Sequence, residues 1–145
     1  MNHSFDLAAA PGHLIRRAHQ ISVAIFNDHL AAVDVTPVQF AILNALQDTP
    51  GVDQITLAKR VAFDPATSGS VIGRVETKGW IERRADDVDR RRKLLVLTPQ
   101  GLQALTGMTA AVAAIQTEIV SPLEPDEQAQ FMHLLRRLVA GHEAS

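Results

Sequence analysis

The sequence predicts a mainly α-helical fold that carries one short β-hairpin. Apolar residues recur every three or four positions along most of the 145 residues, as in amphipathic helices. A capping residue followed by proline marks three helix starts, at Thr36-Pro37, Asp64-Pro65 and Thr98-Pro99. Near the middle, two short strand-like runs, 80–84 and 93–97, flank a highly charged loop.

Composition indicates one ordinary globular domain. The apolar fraction is 46% and the charged fraction 21%, and no apolar run reaches the roughly 18 residues that a membrane span requires. The first ten residues lack the order of a secretory signal, so a cytoplasmic location is expected. With no cysteine, the chain has no disulfide, no thiol switch and no Cys-ligated zinc.

Positive charge is concentrated in one segment although the net charge is -2. Residues 53–93 contain ten Lys and Arg against seven Asp and Glu, a local charge of +3, and the remainder carries -5. Eight of the 14 cations lie between Arg74 and Lys93. Such a distribution is typical of a nucleic-acid-binding surface, although a charge run also occurs on solvated faces.

The first predicted helix runs from Pro11 to about Ala32 and is apolar on more than one face. Two further helices, from Pro99 to about Val120 and from Pro125 onward, carry apolar stripes of their own. These stripes favour a dimer built from the first and last two helices, and an intramolecular helical core explains them equally well.

The central segment has the form of a helix-turn-helix followed by a β-hairpin. Thr36 and Gln39 fit a capping box for a helix that ends at 48–51. A short helix over 53–61 follows, with four residues predicted to point inward, namely Ile55, Leu57, Ala58 and Val61. The next helix begins with Asp64 as N-cap, ends at Lys78-Gly79, and packs through Val71, Ile72 and Val75.

The exposed side of that last helix carries groups that suit DNA. Thr67, Ser70 and Arg74 are predicted on the side opposite the packing residues, with Ser68 near its edge. Hydroxyl groups in the first turn can donate to phosphates or base edges, and Arg74 can reach a guanine or a phosphate. The simpler alternatives are helix-start capping for Thr67 and Ser68 and a solvated charge for Arg74.

The hairpin loop offers a second set of contacts. Asp89 is expected to hold the Arg91 guanidinium through a bidentate pair, which would orient Arg91 for a narrow minor groove. Arg90, Arg92 and Lys93 are expected to contact phosphates or to neutralise the approach to DNA. If Arg92→Ala loses one phosphate contact, it should mainly flatten the salt dependence of binding, by about one unit in slope.

The order of these segments resembles the MarR family of bacterial winged helix-turn-helix transcription regulators. The resemblance covers about residues 10 to 140 and rests most specifically on Asp89-Arg90-Arg91 in the hairpin, which becomes the wing, and on Leu97-Thr98-x-x-Gly101 after it. It implies a single domain over 1–145, with dimerisation helices over about 11–35 and 98–142. The winged helix-turn-helix region would cover about 36–97.

The resemblance also implies an obligate homodimer that binds a palindromic operator in double-stranded DNA. One recognition helix per subunit would enter the major groove, and each wing would reach a neighbouring minor groove. A ligand pocket would lie between the dimerisation helices and the winged helix-turn-helix region, which we call the reader. The chain departs from the family pattern at Gly69 and Gly73, which offer no side chain for base contacts. We therefore expect the wing to contribute more of the DNA affinity than the helix.

A small aromatic carboxylate is the expected effector, because many family members sense that class of ligand. Arg16 and His19 supply a cation or an imidazole, and Phe26 and Phe40 supply aromatic walls. Alternatively, Arg16 and His19 are exposed charges or make hydrogen bonds between subunits. A repressor in aromatic-acid catabolism is the function that the resemblance favours.

Other function classes fit the residues less well. The six histidines show no metal-ligand spacing, so a metal-responsive regulator is a second choice, and no cofactor is expected. The sequence contains no phosphate-binding glycine motif and no nucleophile elbow, which argues against an enzyme. A helical interaction module that binds no DNA is a further alternative.

Overall fold

The structure is a computed structural model that describes residues 4–62 and 65–144, without the side chains of residues 65 and 66. The described part contains six α-helices and two strands. Their bounds are α1 Pro11–Leu30, α2 Pro37–Asp48, α3 Gln54–Arg60, α4 Pro65–Thr77, β1 Ile81–Ala85, β2 Lys93–Leu97, α5 Pro99–Ile119 and α6 Pro125–Glu143. The mainly helical fold with a small β-wing is therefore confirmed.

The chain divides into two compact units. One comprises residues 1–25 and 113–145, and the other comprises residues 26–112. The second unit contains α2, α3, α4 and the wing, together with the adjoining parts of α1 and α5. Its core consists of fully buried aliphatic side chains from each of these segments, including Ile42, Leu43, Leu46, Leu57, Ile72, Val75, Ile81, Leu95 and Leu105.

Capping fixes the helix starts around the reader. The Gln39 backbone N–H donates to Thr36 Oγ1 at 3.1 Å, and the Thr36 N–H donates to Gln39 Oε1 at 3.3 Å, as the capping box predicts. Asp53 accepts from the Thr56 N–H at 2.8 Å and begins α3. Gly79, with φ of +81°, follows α4 in the left-handed conformation that ends helices. The predicted N-cap Asp64 lies outside the described residues.

The wing is a two-stranded antiparallel ribbon with an additional short pairing. Ile81 lies opposite Leu97, and Ala85 lies opposite Lys93. Val52, just before α3, forms an isolated bridge with Leu95. The base of the wing is therefore hydrogen-bonded to the segment that starts α3, a connection that the sequence pattern did not predict.

One inward-facing assignment was wrong. Ile55 is 72% exposed, whereas Leu57 is fully buried. Residues two apart in an α-helix point about 200° away from each other, so a seven-residue helix cannot bury both. α3 therefore presents an apolar side chain to solvent in its first turn.

The first unit exposes much of its apolar surface. Leu14, Ile15 and Ile21 of α1 are 47–53% exposed. None of the described residues of α6 is buried, and its apolar side chains Phe131, Leu134, Leu138 and Val139 remain 37–51% exposed. Within the described ranges, no helix is both long enough and apolar enough to cross a membrane.

Candidate nucleic-acid interface

The outer side of α4 carries two small hydroxyl residues and one cation. Ile72 and Val75 are fully buried, and this orientation leaves Thr67, Ser70 and Arg74 exposed. Arg74 makes no ion pair with any residue in the described ranges. This side of α4 can therefore present hydroxyl donors and a guanidinium to a ligand.

Ser68 does not belong to that exposed side. It is only 4% exposed, although its position in the helix predicts a place near the edge of the DNA-facing side. A side chain this buried cannot reach a base or a phosphate without a change in the helix, because the surrounding protein occupies the space. We therefore leave Ser68 out of the candidate interface.

Half of the eight cations between Arg74 and Lys93 are bonded to other residues of the chain, and the three arginines among them lie at the surface. The Lys78 ammonium donates to Gln39 Oε1 at 2.8 Å and to the Asp34 carbonyl. Three arginines pair with carboxylates: Arg83 with Glu76, Arg84 with Glu82, and Arg92 with Asp53. The cations that remain directed to solvent are Arg74, Arg90, Arg91 and Lys93. They flank the outer side of α4 and the wing tip.

At the wing tip, the Asp89 carboxylate lies closer to the Arg91 backbone than to the Arg91 guanidinium. Its Oδ1 accepts from the Arg91 backbone N–H at 3.1 Å and lies 3.7 Å from Arg91 Nε. The predicted bidentate pair is absent, and the Arg91 side chain is 97% exposed. The i to i+2 spacing explains this arrangement, because the short Asp side chain reaches the backbone two residues on. Arg91 therefore extends freely from a fixed turn.

Arg92 is held at the start of α3. Its Nη2 and Nε donate to Asp53 Oδ2 at 2.8 and 3.2 Å, and its Nη1 lies 3.7 Å from Asp86 Oδ2. Hydrogen bonds from the side chain and backbone of Thr56, followed by the bond from Arg92, lower the pKa of Asp53 to about 2. The expectation that Arg92 contacts a phosphate is replaced by this ion pair, which joins residues 39 positions apart.

A second arginine ties the wing to both helices of the reader. Arg83 on β1 donates through Nη1 to Gln54 Oε1 at 3.1 Å and through Nε to Glu76 Oε1 at 3.4 Å. Gln54 begins α3 and Glu76 lies in the last turn of α4. No local spacing in the sequence indicates these contacts.

A cavity of about 620 Å³ lies along the exposed side of α4, next to the start of α2. Ser70, Gly73, Arg74 and Thr77 of α4 line it, together with Lys78. The Lys78 ammonium lies 4.7 Å from the centre of the Trp80 ring, which helps hold it in place. There is free space beside Gly73, because a Cβ built there would meet nothing within 4 Å.

The four residues predicted to bind an effector have different surroundings. Arg16 and His19 lie in the first compact unit, and both are exposed. Arg16 Nη2 donates to His13 Nδ1 at 3.1 Å. Phe26 is 3% exposed and belongs to the core of the second unit.

Phe40, the fourth of these residues, is accessible to a ligand. It lines a cavity of about 590 Å³ in the second unit, and Asn44, Asp48 and Arg60 also line that cavity. In the part of the chain that the structure describes, no group of three or more His, Asp or Glu side chains could hold a metal ion.

The known proteins to which this chain is similar are transcriptional regulators. A profile of the MarR family matches residues 33–92. The HTH-type transcriptional repressor NicR of Pseudomonas putida is 30% identical over 142 residues, which cover 98% of this chain and 90% of that protein. The match to NicR therefore extends well beyond the reader segment to both ends of the chain.

Two solved structures are similar over the same length. The regulator PcaV of Streptomyces coelicolor, solved with its natural ligand, is 37% identical with a TM-score of 0.87, covering 96% of this chain and 98% of PcaV. BpsR of Bordetella bronchiseptica, whose DNA binding is regulated by 6-hydroxynicotinic acid, is 31% identical with a TM-score of 0.88, covering 94% and 98%.

Proposed function

Because the chain belongs to the MarR family of transcriptional regulators, we propose that it is a homodimeric repressor that a small aromatic acid releases from a palindromic operator. The relatives are transcriptional regulators, and so is this protein; it is not an enzyme. Binding to chromosomal DNA implies that it acts in the cytoplasm of a bacterial cell.

The distribution of solvent-facing cations is the observation that carries the DNA-binding proposal. Arg74 on α4 and Arg90, Arg91 and Lys93 of the wing face solvent, whereas Lys78, Arg83, Arg84 and Arg92 are held by close contacts with other residues. Solvent-facing cations beside exposed hydroxyl groups give the protein several charges and donors with which to neutralise and contact DNA phosphates. We assign Arg74, Thr67 and Ser70 to the major groove and its phosphates.

The wing is assigned to the minor groove and the neighbouring phosphates. Arg91 enters the groove because its side chain extends from the tip with almost no protein contact. Asp89 fixes the turn that presents it, and Arg90 contacts the sugar-phosphate backbone. Because the two glycines of α4 add no base contacts, the wing contributes most of the affinity.

A homodimer accounts for the exposed apolar side chains of the first unit. Leu14, Ile15 and Ile21 of α1 are about half-exposed, and α6 has no buried residue of its own among those described. Exposed apolar stripes of this length mark helix–helix interfaces. Two subunits related by a twofold axis would present two reader units to a palindromic operator.

An aromatic carboxylate is the proposed effector class. PcaV was solved with its natural ligand, and the DNA binding of BpsR is regulated by 6-hydroxynicotinic acid, which is a hydroxylated pyridine carboxylic acid. In this chain Arg16 and His19 of the first unit offer a cation and an imidazole that suit the carboxylate. The ligand must bind one arrangement of the dimer better than the other in order to release DNA.

The proposal is tested with DNA from immediately upstream of the coding sequence. Fluorescence anisotropy should give a dissociation constant that rises steeply with salt, because several phosphates are neutralised. Light scattering should give twice the mass of the 15.7 kDa chain. A panel of benzoate, cinnamate and nicotinate acids should contain at least one that weakens binding. A salt-independent association would instead favour an interaction module that binds no DNA.

A further inference from the structure

We propose that Asp53 and Arg92 form a brace that sets the direction of the wing relative to α3, and that DNA affinity depends on this brace. The inference rests on the proposed DNA-binding function and adds two positioning residues to it. Neither residue needs to contact DNA. The brace acts through Arg91, which directly follows the bend of the wing tip and precedes Arg92 in the chain.

The Asp53 carboxylate has a different partner on each oxygen. Oδ1 accepts from the Thr56 backbone N–H at 2.8 Å, which anchors the carboxylate to the first turn of α3. Oδ2 accepts from Arg92 Nη2 at 2.8 Å and from Arg92 Nε at 3.2 Å. Two donors of one guanidinium on one oxygen fix the orientation of the arginine better than a single bond does. The carboxylate therefore links a rigid helix start to the wing.

The backbone of Arg92 is also the closing point of the wing loop. Its N–H donates to the Asp89 carbonyl at 2.9 Å, and its carbonyl accepts from the Asp86 N–H at 2.9 Å. Its Nη1 also lies 3.7 Å from the Asp86 carboxylate. A tether on the Arg92 side chain thus restrains the whole loop that presents Arg91.

The base of the wing has a separate attachment. The Leu95 N–H donates to the Val52 carbonyl at 2.8 Å, and the Gly51 N–H donates to the Leu95 carbonyl at 3.1 Å. These bonds hold β2 near its middle, three residues beyond Arg92. Arg83 of β1, which lies opposite Leu95, adds its contacts with Gln54 and Glu76 at the same level. Attachment at the base and again nearer the tip defines a direction for the ribbon. With the base alone, the tip could swing.

This geometry predicts an effect of opposite sign to that of a phosphate contact. If Arg92 contacted a phosphate, Asp53 would compete for it, and removing the Asp53 carboxylate would strengthen DNA binding. If Arg92 is a positioning residue, removing the same carboxylate frees the wing and weakens binding, although the protein becomes more positive. Ion pairs with this much exposure contribute modestly, so we expect about a threefold to fivefold loss per wing and roughly tenfold for a dimer that uses two wings.

The decisive variant is Asp53→Ser. Serine is a good N-cap, so it can still accept from the Thr56 N–H and keep the start of α3, but it removes the partner of Arg92. Glu82→Gln is the matched control, because it removes one negative charge from the same ribbon by breaking the Arg84–Glu82 pair, which does not reach α3. Arg92→Ala and the double variant complete the cycle.

We expect Asp53→Ser and Arg92→Ala to weaken DNA binding to a similar extent, with no further loss in the double variant. The slope of affinity against salt should stay unchanged in Asp53→Ser, and Glu82→Gln should bind as tightly as the wild type or more tightly. The melting temperature of each variant measures any loss of fold. Equal or tighter DNA binding by Asp53→Ser, or additive losses in the double variant, would overturn the brace.

A readout without DNA separates failure of the brace from failure of the proposed function. Amide hydrogen exchange at Asp86 and Arg92, whose N–H groups close the loop, should accelerate in Asp53→Ser and not in Glu82→Gln. Unchanged exchange contradicts the brace whether or not the protein binds DNA. A wild-type protein that binds no DNA, with faster exchange in Asp53→Ser, would contradict only the DNA-binding proposal.

Discussion

The carbonyl oxygen of Trp80 occupies the position that a side chain on residue 101 would need: a Cβ built on Gly101 would lie 1.9 Å from it. That carbonyl accepts from the Thr98 N–H at 3.0 Å, and Thr98 Oγ1 in turn accepts from the Gly101 N–H at 3.0 Å. The start of α5 is therefore packed directly against the turn between α4 and the wing.

Gly101→Ala should destabilise the protein by more than about 2 kcal/mol, because the obstructing atoms belong to the backbone and cannot rotate away. Gly107→Ala, in the same helix, is the control: its Cβ would meet nothing within 4 Å, so it should stabilise by up to about 1 kcal/mol. Urea unfolding of both variants measures the difference. Equal stability of the two would contradict the close packing.

Gly73→Ala should raise the stability of the reader by about 0.5–1 kcal/mol, since the site is open and alanine favours a helix. Gly69→Ala should gain less, because its Cβ would approach the Gln54 amide nitrogen at 3.4 Å. Thermal unfolding of the two variants measures the difference in their stability. If Gly73→Ala proved destabilising, the space beside Gly73 on α4 would be too small for a methyl group.

Arg91→Ala should nearly abolish operator binding, because the proposed minor-groove contact is lost. Arg84→Ala, which removes an arginine already paired with Glu82 in the same ribbon, should cost much less. Anisotropy titrations at several salt concentrations separate a lost contact from a general change in charge. Similar losses of DNA affinity in the two variants would mean that the wing acts only as a nonspecific basic patch.

Asp53 should contribute stability that disappears in acid. Its pKa is lowered from 3.8 to about 2, so the folded state favours the ionised carboxylate. The contribution is complete above about pH 4 and is lost as the pH falls toward 2. Asp53→Asn keeps a capping oxygen but does not titrate, so its deficit relative to the wild type in urea unfolding should shrink from pH 5 to pH 2. A stability deficit of Asp53→Asn that grew as the pH fell would contradict a lowered pKa of Asp53.

Arg16→Ala should weaken the response to the aromatic acid while leaving operator affinity nearly unchanged, because the residue is proposed to contact the ligand and not DNA. Arg17→Ala is the neighbouring control, since Arg17 donates to Gln20 at 2.6 Å. Calorimetry with the active acid and anisotropy with operator DNA measure the two properties. Full ligand affinity in Arg16→Ala would remove it from the effector site.

The sequence by itself determined the helices, the wing and their order. Local signals suffice for these features, because caps such as Thr36 with Gln39 and stripes such as Ile72 with Val75 act within a few residues of each other. The positive charge of the central segment was also evident from the sequence alone. The sequence did not predict that Ile55 is exposed, because a seven-residue helix is too short for its apolar pattern to define one buried side.

Only the tertiary structure decided which cations are available to a ligand. Arg83 and Arg92 look like part of the same basic run as Arg91, yet their partners lie up to 39 residues away, on α3 and α4. Side chains that meet through folding leave no periodic trace in the sequence. The structure therefore separates Arg91, which extends into solvent from the wing tip, from Arg92, which is paired with the carboxylate that begins α3.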